Sequence, residues 1–255
     1  MLATPFTFYR GAAAVMAQDF DETLRGPWEW DVKRLAASLA VAAGSAGMDD
    51  GAARSAAETS GCSYRRHVAE YACMRSLEVW YATVDVDMVE RLFARQGRRS
   101  TVKIARRVAR RARLHDSIQA LSKLTEIVEG RHVIRHDPPL VCRLDDDPEV
   151  LAQVGAVVTR YLETLTEERR FLLHPYTPTD LAMKVVGFGS VGTRCFIGLF
   201  HGDGADEGSD PLFLQVKEAL PSVLEPYLSP SLYSDGQRVV VGQRMMQAFP
   251  DMFLG

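Results

Sequence analysis

"VVGFGSVGTRCFIGLF", residues 185–200, sets Gly187, Gly189 and Gly192 at the spacing of a loop that cradles phosphates, inside a run of β-branched and aromatic residues. The residues after the glycines decide the fold. A dinucleotide-binding unit places GxGxxG between a strand and a helix whose N-terminus meets the pyrophosphate, with an acid about 20 residues further on. Here Thr193, Arg194, Cys195, Phe196, Ile197, Gly198, Leu199 and Phe200 come next, poor in helix formers and rich in strand formers. The run therefore predicts the other kind of glycine loop, a β-hairpin whose tip folds over phosphates, with a strand after it whose lysine pairs with them. "FLQVKEA", residues 213–219, supplies that strand, with Lys217 among apolar neighbours. A lysine taken out of water needs an anionic partner; Glu225 is a candidate, whereas Glu218 alternates to the opposite face. The competing reading is a structural glycine turn with Lys217 snorkelling at a sheet edge.

Working outward, "AMKVVGF" (182–188), "TRCFIGLFH" (193–201) and "PLFLQVKEA" (211–219) read as three consecutive strands, the last two joined by the acidic turn "GDGADEGSD". The tail from Asp235 begins as a helix, with Asp235 near its cap. Upstream, "DVKRLAASLAVAA" (31–43) carries Val32, Leu35, Ala36, Leu39, Ala40 and Ala43 on one helical stripe. The pattern stays helical from Ser63 to about residue 125, with a turn at Gly97. "HDPPLVCRLDDDPEV" (136–150) reads as loop, with Asp146 or Asp147 capping one helix to about residue 173 that bears Val150, Val154, Val157, Val158, Tyr161 and Leu165 on a face. The expected class is α+β, with a mainly helical region over 1–175 and a small antiparallel sheet with a glycine-rich hairpin and a terminal helix over 176–255.

The bulk numbers bound the partners. At 255 residues and 47% hydrophobic the chain can build a real core, and 30 Lys and Arg against 33 Asp and Glu exclude a uniformly nucleic-acid-coated surface. Four cysteines without a CxxC pair, and no charged-then-apolar leader, predict a reduced, cytoplasmic protein. No run of about 18 apolar residues occurs, so no membrane span is expected.

Two further stretches carry chemistry. In "QDFDETLRGPWEW" (18–30), Asp19-Phe20-Asp21 resembles the metal-binding D-F-G of kinases, with Asp19 as ligand and Asp21 as a second; the alternative is a solvated acidic turn before a helix, with Trp28 and Trp30 packing at the junction. "RQGRRSTVKIARRVARRARLHD" (95–116) holds Arg95, Arg98, Arg99, Lys103, Arg106, Arg107, Arg110, Arg111 and Arg113 around a narrow stripe of Ile104, Val108 and Ala112. That basic helix could meet nucleic-acid phosphates, an anionic membrane or an acidic partner, or be a solvated face. His115, His132 and His136 match no zinc spacing.

"TPFTFYRGAAAVMA", "DFDETLRGPWEWDVKRLAASL", "KVVGFGSVGTRCFIGLF", "DPLFLQVKEA" and "GQRVVVGQRMMQA" together resemble the bacterial family called domain of unknown function family 2252, over most of the chain. Its motifs are similar to those of protein-kinase-like phosphotransferases in altered order: the D-F-D precedes the glycine loop by more than 160 residues, which implies a rearranged kinase-like fold. The resemblance implies ATP and Mg²⁺ as cofactors, with Gly187, Gly189, Ser190, Gly192, Thr193 and Lys217 at the nucleotide and Asp19 and Asp21 at the metal. The family places a Gly-Asp-x-His-x-x-Asn-Phe-Gly segment, similar to a catalytic loop, between the "RGAAAVMA" helix and the D-F-D strand. Here Ala17 runs directly into Gln18-Asp19. With the stop at Gly255, the expectation is an internally deleted, C-terminally shortened member, weakly active or inactive, whose phosphoryl acceptor the sequence does not name. The other class is a non-catalytic interaction protein that works through residues 95–113.

Overall fold

The computed structural model describes residues 6–9, 12–15, 20–82, 91, 117–144, 148–185, 192–204, 210–247 and 251–255. The fold is α+β, with antiparallel pairing throughout the described strands. β1 (Phe6–Tyr9) pairs with β2 (Ala12–Val15). Within "RGAAAVMA" the described residues 12–15 are therefore strand and not the expected helix: the alanine propensity yields to ladder pairing with "FTFY". The described part of the D-F-D segment, Phe20 and Asp21, is likewise no strand, since Thr23 N–H bonds the Phe20 carbonyl in a turn.

α1 (Glu29–Ser45) and α2 (Asp50–Ala72) form a hairpin in which Asp49 caps α2 by accepting the Ala52 N–H at 2.7 Å. Trp28 stacks on Tyr64 with ring centroids 5.4 Å apart, clasping the start of α1 to α2 while staying solvent-exposed. α3 (Ser76–Trp80) and α4 (Ser117–Leu124) precede a hairpin of β3 (Thr125–Val128) and β4 (Arg131–Ile134). The two-residue turn uses Glu129 at φ 51° and Gly130 at φ 82°, the left-handed pair that a twisted hairpin wants. β5 (Val141–Arg143) lies inside the stretch expected to be loop. Local proline chemistry gives way there to pairing with the next strand across Cys142↔Met183.

α5 (Pro148–Thr164) and α6 (Glu167–Leu173) replace the single expected helix, interrupted at Leu165 and Thr166. β6 (Tyr176–Lys184), β7 (Cys195–Gly202) and β8 (Pro211–Lys217) complete a four-stranded sheet in the order β5-β6-β7-β8. β6 starts six residues before the expected strand at Ala182. α7 (Asp235–Met246) closes the order of elements. β5 comes from before residue 175, so the sheet and its core draw on both sides of that point.

One sheet face carries Val141, Ala182, Ile197, Leu199 and Phe213, and it packs under Leu121 and Leu124 of α4 and Ile134 of β4. Pro178 cannot donate to the ladder, and the register slips beside it between Pro178 and Asp180. That bulge turns Asp180 onto the covered face opposite Leu199. Its carboxylate accepts the Ile134 N–H at 2.6 Å and the Leu181 N–H at 2.8 Å, and lies 3.2 Å from Arg143 Nε. One nearly buried acid thus ties β4, β5 and β6 together. Further out, Tyr161 donates to the Phe253 carbonyl at 2.5 Å; burial first, and the Asp251 charge second, push its hydroxyl up to about 12. Among the described residues no helix is long and apolar enough to cross a membrane.

Asp180→Ala orphans a buried backbone N–H and a guanidinium and should lower unfolding free energy by about 3 kcal/mol in urea titration. Glu129→Asn suits the left-handed turn better and should raise it by about 0.5–1 kcal/mol in the same measurement.

Candidate functional site

The sheet end where β6 leaves and β7 returns holds the described part of the glycine loop. Gly187, Gly189 and Ser190 lie outside the described residues; Gly192 has φ +92° with open space where a Cβ would sit, and Thr193 is half-buried. The frame around them is fixed by backbone and charge. Val185 N–H donates to the Leu140 carbonyl at 2.8 Å, closing the β5 side. On the β8 side Glu218 N–H donates to the Arg194 carbonyl at 2.8 Å, and the Glu218 carboxylate takes the Arg194 guanidinium at 2.7 Å and its N–H at 2.9 Å. The Arg194 side chain, and then its N–H, hold the Glu218 carboxyl below its usual range. This contribution is present above the ordinary carboxylate range and fades as pH falls through the depressed value.

Lys217 pairs across the ladder with Cys195, on the covered sheet face. It is exposed at the strand end rather than buried among apolar neighbours, so the desolvation argument for an obligatory anion does not apply to it. The candidate partner Glu225 sits in a separate 3-10 turn, Glu225–Tyr227, and among the described residues Lys217 makes no ion pair. Beside Lys217, Gln215 Nε2 donates to the buried Cys195 Sγ at 2.9 Å.

Between α4, β4, β5 and β6 lies a cavity of about 220 Å³. Lys123, Arg135, Asp137 and Lys184 rim it, and Leu124, Ile134, Val141 and Ile197 supply its apolar wall. Lys184 is the last residue of β6, two positions on from Ala182, which puts it on the same covered face as Lys217 and Cys195. These cations form no sequence motif; only the approach of α4 and β4 to the sheet brings them together.

The D-F-D segment docks elsewhere on the C-terminal chain. Phe20 is buried and Asp21 is exposed, while Asp19 lies outside the described residues. The Arg238 guanidinium, 3% exposed, donates from Nη1 to the carbonyls of Asp21 at 2.8 Å and Thr23 at 2.9 Å, and from Nη2 to that of Leu220 at 2.8 Å. Glu22 accepts from the Ser222 hydroxyl and the Val223 N–H, both at 2.8 Å. One guanidinium therefore sets the D-F-D turn beside the chain three residues beyond Lys217. Sequence reasoning misses Arg238, whose only signal is a cation inside the helical run "GQRVVVGQ". Among the described residues no three His, Cys, Asp or Glu side chains gather to hold a metal ion. The basic stretch Arg95–Arg113 also lies outside the described residues.

Gly242 of α7 meets Thr23 so closely that an added Cβ would lie 2.1 Å from Thr23 Cγ2. Gly242→Ala should therefore lower the melting temperature despite alanine's helix propensity, whereas Gly236→Ala, with open space at that position, should not; a paired melting curve decides.

Neither a curated protein nor a solved structure matches the chain significantly. The family model described as "Uncharacterized protein conserved in bacteria", domain of unknown function 2252, matches residues 17–255. The chain belongs to that family.

Proposed function

We propose that the chain is a kinase-like ATP-binding protein, derived from a phosphotransferase and weakly active or inactive for want of a catalytic-loop segment. The observation that carries this reading is the order of the sheet. β6, β7 and β8 are consecutive antiparallel neighbours, the segment between β6 and β7 contains Gly187, Gly189, Ser190, Gly192 and Thr193, and β8 ends on Lys217. A dinucleotide-binding unit would instead set a helix after its glycines, and β7 stands in that place. In this reading the loop amides hold the phosphates and Lys217 neutralises them, so that positioning and charge supply the binding.

Mg²⁺, when bound with ATP, would screen the phosphate charge, with Asp19 and Asp21 as its ligands. Asp21 is exposed and its turn is held by Arg238, which supports access to the site from solvent. A reducing, cytoplasmic setting fits four cysteines that are all free.

Thermal unfolding with and without excess Mg-ATP tests the reading. At 100 times its dissociation constant the nucleotide should stabilise the wild type by about 2.7 kcal/mol. Lys217→Ala, at an exposed strand end, should fold normally and lose that response. A wild type that ignores Mg-ATP while well folded makes the glycines a structural turn.

A further inference from the structure

We propose that the cavity between α4, β4, β5 and β6 binds a compact dianion, a phosphate monoester or inorganic phosphate, through Lys123, Arg135 and Lys184. This site is separate from the glycine loop's nucleotide contacts and stands without them.

Charge is the first argument. Three cations face one carboxylate, Asp137, a surplus of two positive charges around a cavity with an apolar wall. A phosphate monoester carries about −1.5 to −2 near neutral pH and so matches that surplus, which a single carboxylate would leave half uncompensated. Among the described residues neither Lys123 nor Lys184 has a carboxylate within ion-pair distance, so both ammonium groups are available to a ligand.

Preorganisation is the second. Arg135 Nε donates to the Thr125 carbonyl at 2.8 Å and Nη2 to that of Ser122 at 3.3 Å, which fixes the guanidinium plane at the cavity rim and, among the described residues, leaves Nη1 uncommitted. Another part of the lining is a closed turn, where Asp137 N–H donates to the Val141 carbonyl and Val141 N–H to that of Asp137, both at 2.9 Å. Asp180 locks Ile134, the floor residue, through its backbone. A site whose walls are already held loses little entropy on binding.

Size is the third. About 220 Å³ falls below the roughly 300–1,000 Å³ of sites that enclose drug-sized ligands, so a whole nucleotide does not fit, whereas a phosphate with a short carbon body does. Leu124, Val141 and Ile197 would then meet that body.

Calorimetric titration with inorganic phosphate and with propyl phosphate, at constant ionic strength set with sodium chloride, tests the site in the full chain. The wild type should bind both saturably at one site, propyl phosphate the more tightly. Lys184→Gln should weaken both about tenfold or more, the worth of one charge-assisted hydrogen bond. Lys123→Gln should weaken them in the same direction, Lys184→Arg should restore binding, and Lys217→Ala should leave it unchanged. Absence of saturable binding to the folded wild type overturns the proposal, as does binding that survives Lys184→Gln and Lys123→Gln together. Binding lost in Lys217→Ala also overturns it, because the phosphate then belongs to the glycine loop. A Mg-ATP response that persists when the phosphate response fails leaves the nucleotide reading standing alone.

Discussion

Asp180 accepts the Ile134 N–H at 2.6 Å and lies 3.2 Å from the Arg143 guanidinium, and this carboxylate lets a sheet and a hairpin share one core. Its side chain is 9% exposed, and the Ile134 and Leu181 N–H donors with the Arg143 guanidinium offset the cost of its charge. The bulge beside Pro178 is what brings it to the covered face. An unbroken register would set Asp180 on the same face as Pro178, and β4 would lose the acceptor that holds it over Ala182 and Leu199. The charged rim of the cavity depends on that placement, since Arg135 comes directly after Ile134 in the chain and Asp137 two residues later.

A second constraint acts where the N-terminal turn meets α7. Arg238 and Glu22 work in opposite directions across one junction: the guanidinium from α7 holds carbonyls of the N-terminal turn, and the carboxylate from that turn holds donors at Ser222 and Val223. Gly242 lets Thr23 come against the helix. The junction is built from backbone groups, the Ser222 hydroxyl, the Glu22 carboxylate and the buried Arg238 guanidinium, each placed by hydrogen-bond geometry.

The features legible in the sequence are local. The strand character after Gly192, the β8 strand with its terminal lysine, the helix over residues 31–43 and the helix from Asp235 are all present, because side-chain shape and periodicity decide them within a few residues. Residues 141–143 and 12–15, within the stretches read as loop and helix, mislead for the same reason in reverse. Pro138, Pro139 and the alanines speak of loop and helix, and only a partner strand, Met183 for Cys142 or Phe8 for Ala13, overrules them. The sequence neighbours of Lys217 imply burial, yet its position as the last residue of β8 leaves it exposed. Lys123, Arg135 and Lys184 spell no motif at all; their convergence is a product of packing.

The Arg238 junction also bears on how the chain reaches its folded state. Two of its hydrogen bonds join residues 217 and 215 positions apart, whereas the β3–β4 hairpin closes over two turn residues. Loop closure over such a span carries a far larger entropic penalty, so the hairpins and the β6–β7–β8 meander form early and the two ends of the chain meet last. During synthesis the N-terminal turn emerges long before its guanidinium partner exists.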